Sequence, residues 1–222
     1  MMRGEKMDRV YDIRLKENFK MFVTGPSRCG KTFFVCDLLQ NIDSFCKTPH
    51  VSVIYVYKVW QEKFEEMKNY VHKFIMDDDH TMDRIKENLF GNSTLLIFDD
   101  LLHSKSLKEI STLFIVDARH QNLSLIFLTQ RMFVNNEYFR QISQNSDYFC
   151  IFKNPRNSSE IRTLAQQITP GNLGLIKFYT EATKKPFSYI LINLTQECAE
   201  KVKYLGNPFL RDHKLAVYTE LT

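Results

Sequence analysis

The stretch of sequence that decides the fold of this chain is Gly25-Pro26-Ser27-Arg28-Cys29-Gly30-Lys31-Thr32. Its spacing, G-x-x-x-x-G-K-T, is the P-loop pattern. Residues 19–24 before it (FKMFVT) form a short apolar run typical of a buried strand, and residues 32–42 after it (TFFVCDLLQNI) carry apolar side chains at helical spacing. The predicted order is strand, glycine loop and helix, which is the setting that a functional P-loop requires.

A loop of this kind turns backbone N–H groups toward a polyphosphate at the N-terminus of a helix, where partial positive charge favours anions. We therefore expect residues 25–32 to bind the phosphates of a nucleotide. Lys31 would reach the β and γ phosphates, and Thr32 would offer its hydroxyl to Mg²⁺. The alternative is an ordinary glycine turn before a helix, and the flanking strand and helix patterns favour the phosphate site.

Length and composition limit the class of protein. With 222 residues and 44% hydrophobic residues, we expect one P-loop domain over residues 1–222, with its core at about 18–170. This length excludes a typical two-core helicase.

Five cysteines without a C-x-x-C pair predict reduced thiols of an intracellular protein rather than a zinc site. No apolar run approaches the ~20 residues of a membrane span, so we expect neither a span nor a signal peptide.

Strand and helix patterns alternate along the chain. Predicted strands cover residues 51–57, 94–98, 124–129 and 147–152, and predicted helices lie around 61–70 and at 106–118. This alternation predicts an α/β fold, a parallel sheet with helices on both faces. Beyond Pro170-Gly171, residues 173–180 and 186–194 alternate like two strands. They predict a C-terminal β-hairpin whose turn carries Lys184 and Lys185, followed by a tail to residue 222.

Two carboxylates follow the predicted strand 94–98. Asp99 would lie at the carboxyl end of a buried strand, where ligands of open α/β sheets collect, and could hold Mg²⁺ through a water. This is the Walker B position. Asp100 could polarise the attacking water as a general base, although this class of ATPase more often has Glu there. The alternative is that the two aspartates only begin a turn.

Other polar residues are expected around the same site. Gln130 ends the predicted strand 124–129 and is interpreted as a sensor that touches the γ-phosphate and the attacking water, or else as a polar strand cap. Arg119, before that strand, would project away from its own nucleotide toward a neighbouring subunit as an arginine finger. It could equally be an ordinary surface residue, and Arg131 and Arg140 are rival fingers. The net charge of +4 gives weak support for a polyanionic partner.

Four segments taken together resemble the packaging ATPases of the FtsK–HerA superfamily, and within it the A32-like branch of Polinton and adintovirus-type elements, virophages and larger DNA viruses. They are GPSRCGKT (25–32), LLIFDD (95–100), DARHQNLSLIFLTQ (117–130) and YFRQISQNSDYFCIFKNPR (138–156). The resemblance covers about residues 20–170. Asp at the position of Asp100 is not unusual in the viral members of this branch.

The resemblance implies a RecA-like (ASCE) fold and a homo-oligomeric ring of six subunits that moves double-stranded DNA into a preformed capsid with ATP and Mg²⁺. It places Lys31, Thr32, Asp99, Asp100 and Gln130 on the nucleotide motifs and Arg119 on a position like the trans-acting arginine. The implied partners are DNA and capsid or portal-vertex proteins, and the implied location is the intracellular site of virion assembly, or the virion itself. A small P-loop nucleoside or nucleotide kinase and a structural capsid-associated P-loop protein are the alternatives.

Overall fold

The computed structural model describes residues 11–50, 52–89, 93–117, 122–156, 158–171, 173–209 and 215–219. The strands in this part of the chain are β1 Lys20–Thr24, β2 Ser52–Tyr57, β3 Lys73–Met76, β4 Thr94–Asp99, β5 Leu123–Thr129, β6 Tyr148–Phe152, β7 Tyr189–Asn193, β8 Tyr204–Gly206 and β9 Ala216–Tyr218. The α-helices are α1 Lys31–Gln40, α2 Ile42–Phe45, α3 Phe64–Met67, α4 Thr81–Glu87, α5 Leu107–Thr112, α6 Glu137–Gln144, α7 Ser158–Ile168 and α8 Gly174–Ala182. Leu113–Asp117 continues α5 as a π-helix, and Glu200–Val202 is a 3₁₀ turn.

These strands form one sheet in the order β3-β2-β4-β5-β1-β6-β7-β8-β9. The six strands from β3 to β6 are parallel, and β7, β8 and β9 extend the sheet in antiparallel pairs. The predicted α/β class is therefore confirmed. Strand β5 lies between β1, which leads into the P-loop, and β4, which ends on Asp99.

Both faces of the sheet are buried, as near-continuous apolar strands predict. Alternate residues of β1 show the division: Phe22 packs into one core cluster with Phe127 and Phe139, whereas Met21 and Val23 belong to a second cluster on the opposite face. Helix α1 packs on the second face through buried residues that include Phe34 and Leu38. This packing fixes the start of α1 against the carboxyl end of β1.

The carboxyl ends of β1, β5 and β4 lie at one level. In the strand register Thr24 pairs with Thr129, and Leu128 pairs with Asp99. Two backbone hydrogen bonds continue this alignment beyond the strands, from Gly25 N to the Thr129 carbonyl (3.3 Å) and from Asp100 N to the Leu128 carbonyl (3.0 Å). The P-loop, Gln130 and Asp100 therefore leave the sheet side by side.

The predicted strand at residues 173–180 is wrong, because this segment belongs to helix α8. Its apolar side chains also repeat at helical spacing, with Leu175 and Ala182 buried and Phe178 and Tyr179 packed against the core. Phe178 contacts the rings of Tyr204 and Tyr218. The predicted partner strand exists as β7, but it pairs with β6 and β8, so no hairpin joins 173–180 to 186–194.

Smaller differences concern the other helices and the sheet edge. The predicted helix around 61–70 is limited to α3, and the predicted helix 106–118 is α5 with its π-helical continuation, residue 118 being outside the described part. The elements that were not predicted are strands β3, β8 and β9 and helices α2, α4, α6 and α7. No helix among the described residues is long and apolar enough to cross a bilayer.

Thr180→Pro tests the helical assignment of 174–182. Thr180 is exposed inside α8, where a proline removes a backbone hydrogen bond and clashes with the preceding turn. We expect the free energy of unfolding, measured by urea denaturation, to fall by about 3 kcal/mol. Thr180→Ala should change it by less than about 1 kcal/mol. Equal effects of the two substitutions would contradict a helix at this position.

Candidate active site

The P-loop follows β1 and reaches α1 through a conformation that demands glycine at two positions. A Cβ on Gly25 would lie 2.6 Å from Cβ of Phe152 and 2.7 Å from Sγ of Cys29, so no side chain fits there. Gly30 has φ 108°, in the left-handed region, and caps the start of α1. Among the non-glycine residues Arg28 also has a positive φ of 63°. The loop is therefore held in the compact shape that its sequence pattern predicts.

Lys31 and Thr32 begin α1 beside this loop. The Lys31 ammonium group donates to the carbonyl oxygens of Gly25 (2.7 Å) and Pro26 (3.0 Å), so its charge lies inside the loop. The Thr32 hydroxyl donates to Oε1 of Gln61 at 3.1 Å. The first turn of α1 contains no acidic side chain to neutralise the positive end of the helix. Both residues therefore lie where an anion at the helix N-terminus would meet them.

Asp99 ends β4 as a buried carboxylate that is only 7% exposed. Its Oδ2 accepts hydrogen bonds from the Tyr55 hydroxyl (2.9 Å) and from Nε2 of Gln61 (3.2 Å). Burial raises the pKa of Asp99 to about 6. The neighbouring charge of Asp100 adds to this rise, whereas the Tyr55 hydrogen bond, the charge of Lys31 and the Gln61 hydrogen bond lower the pKa.

Asp100 and Gln130 form a pair at the mouth of the site. Asp100 is exposed and has φ 57°, an uncommon conformation for a residue other than glycine. Its Oδ2 accepts a hydrogen bond from Nε2 of Gln130 at 2.8 Å. The two predicted reaction residues are therefore brought together, with an amide orienting the carboxylate that was predicted to act as base.

One cavity of about 510 Å³ is lined by most of the predicted nucleotide residues. Its lining includes Ser27, Arg28, Gly30, Lys31, Thr32, Asp99, Asp100 and Gln130. Its volume is in the usual range for small-molecule sites. A second cavity shares Ser27 and Gln130 with the first and is also lined by Arg131, so Arg131 lies beside the predicted nucleotide site of its own chain.

The polar groups of this cavity suit a divalent cation bound together with phosphates. A hydroxyl (Thr32) and a carboxylate (Asp99) are oxygen ligands of the kind that Mg²⁺ takes, usually with only one or two from protein. Burial raises the pKa of Asp99, and Tyr55, Gln61 and Lys31 compensate its negative charge only in part, so a bound cation would supply further compensation. Among the described residues no group of three or more His, Cys, Asp or Glu forms a separate metal site.

Comparison with known proteins identifies the family. The sequence profile described as "Poxvirus A32 protein" matches residues 7–177, more than three quarters of the chain. The chain belongs to the poxvirus A32 protein family. It is therefore a viral DNA-packaging ATPase, as the resemblance of its motifs implies. A search of curated protein sequences finds no significant match.

Solved structures similar to this A32-family chain share its fold. One is the genome packaging NTPase B204 from Sulfolobus turreted icosahedral virus 2 in complex with ATPγS, with 15% identity over 82% of this chain and 95% of that chain and a TM-score of 0.53. Another is EccC (ATPases 2 and 3) from Thermomonospora curvata, with 13% identity over 78% of this chain and 34% of that chain, also with a TM-score of 0.53. The sheet with its P-loop is therefore a known ATPase fold.

Two residues of the site were missed by the sequence reasoning, and one predicted residue lies outside the described part. Tyr55 and Gln61, which bond to Asp99, come from β2 and the segment after it. The sequence contains a signal for Tyr55, because its hydroxyl is a polar group inside an apolar run that must be buried. Arg119 falls in residues 118–121, outside the described residues, so its predicted role stays a prediction. Arg140 is exposed on α6.

Lys31→Ala should lower the rate of ATP turnover by at least ~10²-fold, since it removes the ammonium group that stabilises charge on the transferring phosphate. The measurement is steady-state phosphate release at saturating ATP. Lys177→Ala, which removes an exposed lysine from α8, is the matched control and should keep the wild-type rate. Turnover of Lys31→Ala within twofold of wild type would contradict the assignment of the nucleotide site.

Asp100→Asn should keep nucleotide affinity within about twofold and lower hydrolysis by ~10²-fold or more. The amide keeps the shape of the side chain but cannot accept a proton from water. Binding is measured by calorimetry with a non-hydrolysable ATP analogue, and hydrolysis by phosphate release. A joint loss of binding and turnover would show that Asp100 holds the nucleotide rather than acting as the base.

Proposed function

We propose that this chain is the subunit of a homo-oligomeric ring, a hexamer, that uses ATP hydrolysis to move double-stranded DNA into a preformed capsid. The single observation that carries the proposal is one cavity holding the P-loop lysine, the buried Asp99 and the Asp100–Gln130 pair in a chain of the A32 family. The neighbouring structure B204, described as a genome packaging NTPase and solved with ATPγS and with AMPPCP, supports ATP as the nucleotide.

In the proposed reaction the P-loop and the start of α1 bind the phosphates, and Lys31 exchanges its carbonyl partners for phosphate oxygens. Mg²⁺ held by Thr32 and, through a water, by Asp99 would neutralise charge on the phosphates. Asp100 accepts a proton from the attacking water, and the Gln130 amide keeps that carboxylate oriented. Each of these residues lines the same cavity.

Arg119 is proposed to complete the site of a neighbouring subunit. The described residues after it support this role, because Leu123 begins β5 at the end of the strand opposite to the P-loop. The seven residues of β5 span about 20 Å, so Leu123 lies far from the predicted nucleotide site of its own chain. Arg131, which lines a cavity beside its own P-loop, fits a trans role less well.

The proposed partners are double-stranded DNA and capsid or portal-vertex proteins, and the proposed location is the intracellular site of virion assembly. Family membership is the support for both. The net charge of +4 agrees with a polyanionic partner. The same membership favours a packaging motor over the small-kinase and structural alternatives.

Mixing two inactive variants tests the ring and the trans arginine together. A Lys31→Ala subunit cannot hydrolyse ATP, and an Arg119→Ala subunit cannot complete its neighbour's site, so each variant alone should lack DNA-stimulated ATPase activity. In randomly mixed rings about one quarter of interfaces join an intact P-loop to an intact arginine, and activity should recover toward that fraction. Exchange of subunits is verified by native mass spectrometry with ATP and DNA present.

The outcomes separate the parts of the proposal. No recovery in rings shown to be mixed would remove Arg119 from the site, and Arg131→Ala and Arg140→Ala would be tested in its place. A wild-type protein that stays monomeric with ATP and DNA would contradict the ring itself. Mixing Lys31→Ala with Lys177→Ala serves as the control for simple dilution, because Lys177→Ala subunits are active alone.

A further inference from the structure

The side-chain amide of Gln61 connects the two residues predicted to hold the cation. Its Oε1 accepts from the Thr32 hydroxyl at 3.1 Å, and its Nε2 donates to Oδ2 of Asp99 at 3.2 Å. Thr32 is on α1 and Asp99 is on β4, so Gln61 spans the gap between them. Gln61 also lines the nucleotide cavity. No motif of the sequence includes this residue.

The position of Gln61 follows from the sheet order. Strand β2 lies next to β4, and its last residue, Tyr57, pairs with Asp99. The segment 58–63 leaves the sheet at that point and leads into α3, which places residue 61 over the end of β4. Gln61 is exposed, unlike the Tyr55 ring, which is fully buried below Asp99. The Gln61 bridge can therefore open without disturbing the core, whereas the Tyr55 bond cannot.

The Gln61 bridge and a bound cation would occupy the same gap between Thr32 and Asp99. The amide N–H of Gln61 points its positive end at the Asp99 oxygen and partly compensates a buried negative charge. A cation joined to Asp99 through a water would supply that compensation itself. Because the Gln61 amide fills the space between the Thr32 hydroxyl and Oδ2 of Asp99, the cation and its water can take this space only after the amide has left it.

We propose that Gln61 closes the cation position while the site is free and leaves it when the Mg²⁺–nucleotide complex binds, so that the segment 58–63 moves with the nucleotide state. This inference rests on the proposed function, because it needs an Mg²⁺–nucleotide complex at the P-loop. Gln61 is a positioning residue in the free state and makes no contribution to the bound state.

An equilibrium consequence distinguishes this role from that of a ligand. Hydrogen bonds made only in the free state oppose binding, since the ligand must break them. Gln61→Ala removes them from the free state alone, so the Mg²⁺–nucleotide complex should bind more tightly. Because Gln61 is exposed and water competes for both hydrogen bonds, we expect their combined net effect to be that of one ordinary hydrogen bond, which corresponds to about a fivefold decrease in Kd. A residue that held the metal or its waters would give the opposite sign.

The chain carries a built-in reporter next to Gln61. Trp60 is its only tryptophan. The indole ring is 42% exposed and packs edge-on against Phe64 of α3 and Phe74 of β3, with centroids 5.4 and 5.3 Å apart. Because residue 60 is joined directly to residue 61, release of the bridge should change these contacts and hence the fluorescence of Trp60.

The experiment uses the full chain and the non-hydrolysable analogue AMPPCP, with calorimetry for Kd and tryptophan emission for the segment. In the wild type, Mg²⁺ with AMPPCP should shift the emission, and AMPPCP with EDTA should not. Gln61→Ala should bind Mg²⁺–AMPPCP about fivefold more tightly and should show, without nucleotide, emission shifted toward that of the wild-type complex. Gln61→Met, which keeps side-chain length without hydrogen bonds, should behave in the same way.

Gln40→Ala, the same truncation at the exposed last residue of α1, is the control and should bind and emit like the wild type. Weaker binding by Gln61→Ala and Gln61→Met would overturn the inference, as would unchanged Trp60 emission in a wild-type complex that calorimetry shows to be formed. Absence of any AMPPCP binding by the wild type is a different failure, since it would overturn the proposed function itself.

Discussion

The buried charge of Asp99 is the constraint on which the rest of the site depends. A carboxylate at the end of a central strand is costly to ionise, and the pKa of about 6 records that cost. Hydrogen bonds from Tyr55 and Gln61 and the nearby charge of Lys31 offset part of this cost. These partners come from β2, from the segment after it and from α1. Compensation of one charge therefore ties three separate parts of the chain to the end of β4.

Sheet topology decides which groups meet this charge. Because β5 lies between β1 and β4, the residue that follows β5 emerges between the P-loop and Asp100. Gln130 occupies that place and donates to Asp100. If β1 and β4 were neighbours, there would be no position for a side chain between the P-loop and Asp100. The order of the strands therefore brings Gln130 to the predicted site.

The local sequence pattern predicted those site residues that directly follow strands. The other site residues depend on which strands pair in the sheet. The P-loop, Asp99, Asp100 and Gln130 were predictable because they follow three distinct apolar runs, at the strand ends where ligands of parallel sheets collect. Gln61 was not, since its role depends on β2 lying beside β4. Residues 173–180 were predicted as a strand because the apolar pattern of so short a segment can fit both the period of a strand (two) and that of a helix (3.6). The contacts of Phe178 with Tyr204 and Tyr218 are long-range and distinguish the helix from the strand.

Each predicted reaction group has a hydrogen-bond partner within the protein: Lys31 bonds to loop carbonyls, Thr32 to Gln61, and Asp100 to Gln130. Nucleotide binding is therefore an exchange of partners, and its free energy is the difference between the new interactions with the nucleotide and the hydrogen bonds that must break. Breaking these bonds releases the residues that made them. Different segments of the chain follow Gln61 and Gln130, so the binding of one nucleotide can displace both segments. In the proposed ring, such displacements would couple the chemistry of one subunit to the position of the next.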